Sequence, residues 1–134
     1  MVRGWWIVKE QMKVKSYKEL NVWEKGIEIV DRIYEITADF PQSQLYGLTS
    51  QMQRAAISMP SNIAEGFARS HTAEYKQFLR VALSSCAELD TQLVITRRRN
   101  YVTEAEYLEL QKNLDHESRM IMNLIKSLSK NVKP

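Results

Sequence analysis

Scarcity sets the first limits on this chain of 134 residues. Its one cysteine, Cys86, excludes an internal disulfide and suits a reducing compartment, so the cytoplasm is expected. Four glycines and three prolines leave little material for tight turns, which points to long regular elements. No apolar run nears the ~20 residues that span a bilayer, and no membrane contact is expected. Trp5, Trp6 and Ile7 lie near Arg3, but no apolar stretch of signal-peptide length follows. Two histidines, His71 and His116, lack a second histidine at i, i+4 spacing and a glutamate three residues before. A glycine-rich phosphate loop is also missing. Metal, cofactor and catalytic residues are therefore all expected to be absent, and the chain reads as a non-enzyme.

Charge is present but unevenly placed. Of the formal +3, residues 1–15 supply all: Arg3, Lys9, Lys13 and Lys15 against Glu10. The rest balances at fifteen basic and fifteen acidic residues (19 minus 4, 16 minus 1), so any electrostatic footprint must come from local clustering. Residues 1–15 also lack helical period. They form a basic N-terminal extension, read either as a flexible tail, as a mis-assigned start preceding Met12, or as an arm anchored by Trp5 and Trp6. Residues 16–134 form one domain.

That domain shows 3.6-residue periodicity in four segments and no sustained strand-type alternation. The first helix runs from about Glu19 to Phe40, with a capping box at Ser16 and Glu19 and a stop at Pro41. The second runs from about Leu45 to Ala68 with Pro60 inside it. A kink is expected there, Ser58 or Ser61 serving the freed backbone; two helices split at Pro60 are the alternative. The third starts with Thr72 as N-cap and ends near Arg99; Tyr75, Leu79, Ala82, Cys86, Leu89 and Leu93 recur at heptad spacing. The fourth starts at Thr103, whose capping box closes with Glu106, and its seam is Tyr107, Leu110, Leu114, Ile121, Leu124 and Leu128. Connections are short, so the fold class is all-α: an antiparallel up-down-up-down four-helix bundle.

The first helix is apolar over too wide an arc. Leu20, Trp23, Ile27, Val30 and Tyr34 form one stripe; Val22, Ile29, Ile33, Ile36 and Phe40 form another, roughly 120° away at 100° per residue. One stripe of ~100° suffices for a bundle helix. Part of this helix is therefore expected to meet another subunit, with Val22, Ile29, Ile33, Ile36 and Phe40 as the interface, unless the helix is deeply central within one chain.

Two polar groupings remain. Gln51, Arg54, Ser58, Asn62 and Glu65 stripe the second helix, and with Glu88 and Gln92 of the third they make a polar cluster between helices. Such groups survive burial only when paired, so the cluster reads as a register device before a ligand site. Lys112, Arg119, Lys126 and Lys133 recur every seven residues with Lys130 close by, and Arg97, Arg98 and Arg99 end the third helix. These are the candidate nucleic-acid-binding residues, a stripe whose binding would fall steeply with salt. The plainer account is that cations near helix C-termini oppose the dipole, and that Asp115, Glu117 and Glu109 dilute the stripe.

Several of these residues also follow one family's pattern. Leu20, Val22 and Trp23, then Phe40-Pro41, Tyr46-Gly47-Leu48-Thr49, Arg54-Ala55-Ala56 and Ser61-Asn62-Ile63-Ala64-Glu65-Gly66 carry it, followed by Phe78-Leu79, Ser85, Glu88-Leu89 and Gln92-Leu93. The chain resembles the bacterial four helix bundle family, also called ribosomal-RNA intervening-sequence proteins, over about Tyr17 to Lys130. The resemblance implies a cytoplasmic bundle that assembles with itself into a ring, a homopentamer. A related fold serves as the accessory protein of diversity-generating retroelements, partnering a reverse transcriptase and RNA or DNA. Those relatives are basic, whereas this body is neutral.

Overall fold

The computed structural model describes residues 14–130. The first part of the basic extension, residues 1–13, and Lys133 lie outside that range. Four long helices account for most of it: α1 (Asn21–Thr37), α2 (Ser50–Phe67), α3 (Thr72–Arg98) and α4 (Glu104–Lys130). Among the described residues there is no strand. Helix α1 packs on α2 and α4, and α3 packs on α2 and α4, which closes a four-membered ring of contacts around one core.

Local chemistry accounts for the helix ends, with two departures from expectation. Ser16 and Glu19 do form a capping box, Lys18 N–H donating to Ser16 Oγ at 3.2 Å and Ser16 N–H to Glu19 Oε2 at 3.0 Å. The box caps a 3-10 turn at Tyr17–Glu19, however, and α1 begins only after Leu20, whose extended backbone breaks the register. Thr72 is not an N-cap. His71 holds that position without a side-chain cap, and Thr72 is buried as the first helical residue. At α4 the expectation holds: Thr103 N–H donates to Glu106 Oε1 at 2.9 Å and Glu106 N–H to Thr103 Oγ1 at 3.1 Å. The α3–α4 turn closes with Asn100 at φ 61°, a conformation asparagine tolerates. There Tyr101 N–H reaches Thr96 O at 2.9 Å and Asn100 N–H reaches Arg97 O at 3.2 Å, satisfying two terminal carbonyls.

Helix α2 continues through Pro60 as one helix. The Ser58 hydroxyl is occupied elsewhere: Ser85 Oγ donates to it at 2.7 Å across the α2–α3 contact, and Asn62 Nδ2 donates to it at 3.0 Å. Helix entry differs too, since Leu45–Thr49 forms a π-type turn bent at Gly47 before α2 begins.

The heptad seam of α3 is buried as its spacing predicts. The face assigned to a subunit interface is buried as well, and this corrects the sequence reading. Val22, Ile29, Ile33, Ile36 and Phe40 all belong to the core of the single chain, where no second copy can reach them. Both stripes of α1 are apolar, and packing turns the Val22, Ile29, Ile33, Ile36 and Phe40 stripe inward. Trp23, Ile27 and Val30 remain half-buried, and Tyr34 is 45% exposed.

Candidate functional site

Helix α4 presents Lys112, Arg119, Lys126 and Lys130 on one exposed face, as a seven-residue recurrence requires. Two of the three acids expected to dilute that face are elsewhere. Glu109 accepts a hydrogen bond from Arg32 Nε of α1 at 2.9 Å, which also raises the Arg32 pKa above its ordinary value. Glu117 is fully buried. Only Asp115 remains, and it takes up Arg119 in an exposed ion pair at 3.0 Å. Lys112 stands on the rim of a groove of about 600 Å³ between α3 and α4, with Asp90, Asp115 and Met122 on its other walls.

Arg97, Arg98 and Arg99 do not join this stripe. They lie at the turn that opens α4, and Lys126 is 22 residues beyond Glu104 (126 minus 104), about 33 Å at 1.5 Å per residue. Lys112, eight residues beyond Glu104 (112 minus 104), is only about 12 Å along the helix, so the cluster lies off the near end of the stripe and far from Lys126 and Lys130.

The polar cluster is only partly assembled. Gln51, Arg54, Glu65 and Glu88 are exposed, and no described residue pairs with Arg54 or Glu65. Eleven residues separate those two on α2 (65 minus 54), about 16 Å along the helix. What does meet between helices is one bond, Ser85 Oγ to Ser58 Oγ; Asn62 Nδ2 donates to Ser58 within α2, and Gln92 Nε2 lies 3.4 Å from Glu88 Oε2 within α3. The Ser85–Ser58 bond ties α3 to α2. Cys86 is inert, since burial pushes its thiol up to about 11 and Met59 Sδ lies 3.3 Å from Sγ.

Two shallow grooves flank the outer face of α1. One of about 270 Å³ is lined by Tyr17, Trp23, Ile27, Ile57 and Pro60 among others. The other, about 410 Å³, lies at the α1–α2 turn beside Tyr34, Phe40 and Leu45. Tyr46 projects next to it, 93% exposed.

Sequence reasoning missed the most unusual residue. Glu117 is 0% exposed, and neither carboxyl oxygen has a hydrogen-bond partner among the described residues. Burial, opposed by Lys25 and aided by Glu28, pushes its pKa up to about 8. The signal was available: the α4 seam runs 107, 110, 114, 121, 124, 128, and position 117 fills its one gap. The α1 seam 22, 29, 33, 36, 40 has the same gap at Gly26. The two irregular positions face each other, for a Cβ added at Gly26 would sit 3.0 Å from Glu117 Oε2.

The described geometry is that of an all-α four-helix protein, and among the described residues no group of three or more His, Cys, Asp or Glu side chains could hold a metal ion. No helix among them is long and apolar enough to cross a membrane. The profile of the 23S rRNA-intervening sequence protein family matches residues 18–123, and the chain belongs to that family. It is similar in fold to the crystal structure of a protein of unknown function from the S23 ribosomal protein family of Bacteroides thetaiotaomicron. That likeness has 23% identity and a TM-score of 0.73, covering 78% of this chain and 95% of that one. No curated protein matches the sequence.

Proposed function

We propose that this chain is a non-enzymatic cytoplasmic scaffold, an antiparallel bundle that assembles with copies of itself into a ring and offers nucleic acid a basic helix face. The observation that carries the assembly is the outer stripe of α1. Trp23 and Val30 only border the core, and Ile27 and Tyr34 lie outside it, although nothing polar interrupts the stripe. An apolar surface of this kind beside two grooves and a projecting Tyr46 suits contact between copies. A knob on one region and a hollow on another make a heterologous contact, the kind that closes into rings. The pentameric count rests on family resemblance. The antiparallel course is supported by paired positions running oppositely: Lys25 with Asn113 and Arg32 with Glu109, Thr37 with Gln53 and Gly26 against Pro60.

Lys112, Lys126 and Lys130, together with Arg119, supply the phosphate-facing side. Ring symmetry would repeat that stripe once per copy, multiplying weak contacts. The experiment is an anisotropy titration of labelled RNA and DNA at low and physiological salt, repeated with Arg119→Glu/Lys126→Glu. Salt-sensitive binding that the double variant loses, with assembly intact, supports the proposal. Binding that the variant retains removes the site, and no binding at either salt leaves a protein-interaction module.

A further inference from the structure

A carboxyl group at a seam position is costly unless something is made of it, and here the surroundings are shaped around it. Glu117 reaches from α4 into the space that Gly26 of α1 leaves by lacking a side chain. On the far side stands Pro60 of α2, whose ring lies 3.4 Å from where a Gly26 Cβ would be. Three helices thus converge on one carboxyl with no donor aimed at it. A carboxylate in that position would be an unpaired buried charge, whereas a neutral acid costs far less.

The charged groups around it are few. From α1 come Lys25, adjacent to the notch, and Glu28; from α3 comes Cys86, whose thiol senses Glu117; α2 presents Pro60, which does not titrate. Lys25 is already engaged, donating from Nζ to Asn113 Oδ1 at 2.8 Å. Asn113 lies four residues before Glu117 on α4, on the same side of the helix. Among the described residues, the one cation near enough to act on an ionised Glu117 is therefore the one that ties α1 to α4.

We propose that Gly26, Lys25, Asn113 and Glu117 form a proton-operated latch between α1 and α4. With Glu117 neutral, the carboxyl fills the notch and Lys25 rests on Asn113. Loss of the proton to water leaves a buried carboxylate that, with Lys25 held on Asn113, draws water into the notch, and that hydration loosens the α1–α4 contact. This latch is independent of nucleic-acid binding and of assembly.

The test uses the full chain. Infrared difference spectra between pH 5 and pH 9 are compared for wild type and Glu117→Gln. A protonated-carboxyl band that is missing in the variant, persists at pH 7 and fades around pH 8 is expected. Amide exchange in α1 and α4, read against the variant to remove intrinsic base catalysis, accelerates over the same range. Lys25→Met moves the midpoint upward, and the pH at which exchange accelerates must move with it; an exchange profile that stays in place counts against the latch. A Glu117 band already lost by pH 6, or exchange no different from the variant, overturns the latch. Should Glu117→Gln fail to fold, urea unfolding of the wild type decides. Its folded-to-unfolded ratio falls by about tenfold per pH unit between about 4.5 and about 8 under the proposal, and a flat profile refutes it.

Discussion

Replacing Glu117 by methionine is expected to stabilise the protein, an unusual outcome for a fully buried site. The reasoning starts from the proton. In the unfolded chain this carboxyl titrates near 4.5, and in the fold burial pushes it up to about 8. At pH 7 folding must therefore take up a proton across 2.5 pH units (7 minus 4.5), and at ~1.4 kcal/mol per unit this costs about 3 kcal/mol. Methionine fits a seam position, adapts its shape to the notch at Gly26 and carries no such cost. The sign follows from the raised folded value. Stability linked to Glu117 is fully present below about 4.5, declines as pH rises and is gone above about 8. The advantage of the variant accordingly grows from pH 4.5 to pH 8 and then levels off. Urea denaturation followed by circular dichroism at pH 5, 7 and 8.5 measures it, and at pH 7 the melting temperature should rise by roughly 10 °C. A variant less stable than wild type at pH 7, or a gain that does not change with pH, would refute the account of this residue.

Other substitutions probe the packing around it. Gly66→Ala places a Cβ 2.8 Å from both Phe78 Cβ and Tyr75 Cδ1 and 3.2 Å from the Tyr75 carbonyl oxygen, so α2 and α3 must part. A loss of about 1–3 kcal/mol by chemical denaturation is expected. Ile33→Ala opens a cavity at a 0% exposed core position and should cost about 2–5 kcal/mol, while leaving any self-assembly intact in the folded fraction. Thr103→Ala removes the hydroxyl that caps α4 and should cost ~1 kcal/mol in the same assay. Cys86, held up to about 11 by burial, should resist thiol reagents at pH 8 until the protein is unfolded.

Helix number and most helix boundaries were legible because periodicity, Pro41 and the Thr103–Glu106 box act locally. The start of α1 was less so: the Ser16–Glu19 box is genuine but serves a single 3-10 turn, and nothing local distinguishes a turn from a helix at that point. The choice between the two α1 stripes was beyond local reading, since both are apolar and only tertiary packing selects Ile29 and Ile33 over Trp23 and Ile27. The polar stripe of α2 was over-read. Arg54 and Glu65 share a helix face yet project to solvent, and of the stripe only Ser58 makes a hydrogen bond to α3, accepting from Ser85. Glu117 was lost to residue type, a charged residue being placed outside by habit when its heptad position placed it inside. Of the basic candidates, the α4 stripe followed from spacing alone, while its separation from Arg97–Arg99 depends on which end of α4 each occupies.

The central claim is that the outer face of α1 joins one copy to another, and sedimentation velocity at micromolar concentration tests it most directly. Wild type should sediment as a closed oligomer, and Ile27→Asp/Tyr34→Asp as a monomer of unchanged helicity, because both side chains lie outside the packed core. A monomeric wild type, or a double variant that still assembles, would contradict the account.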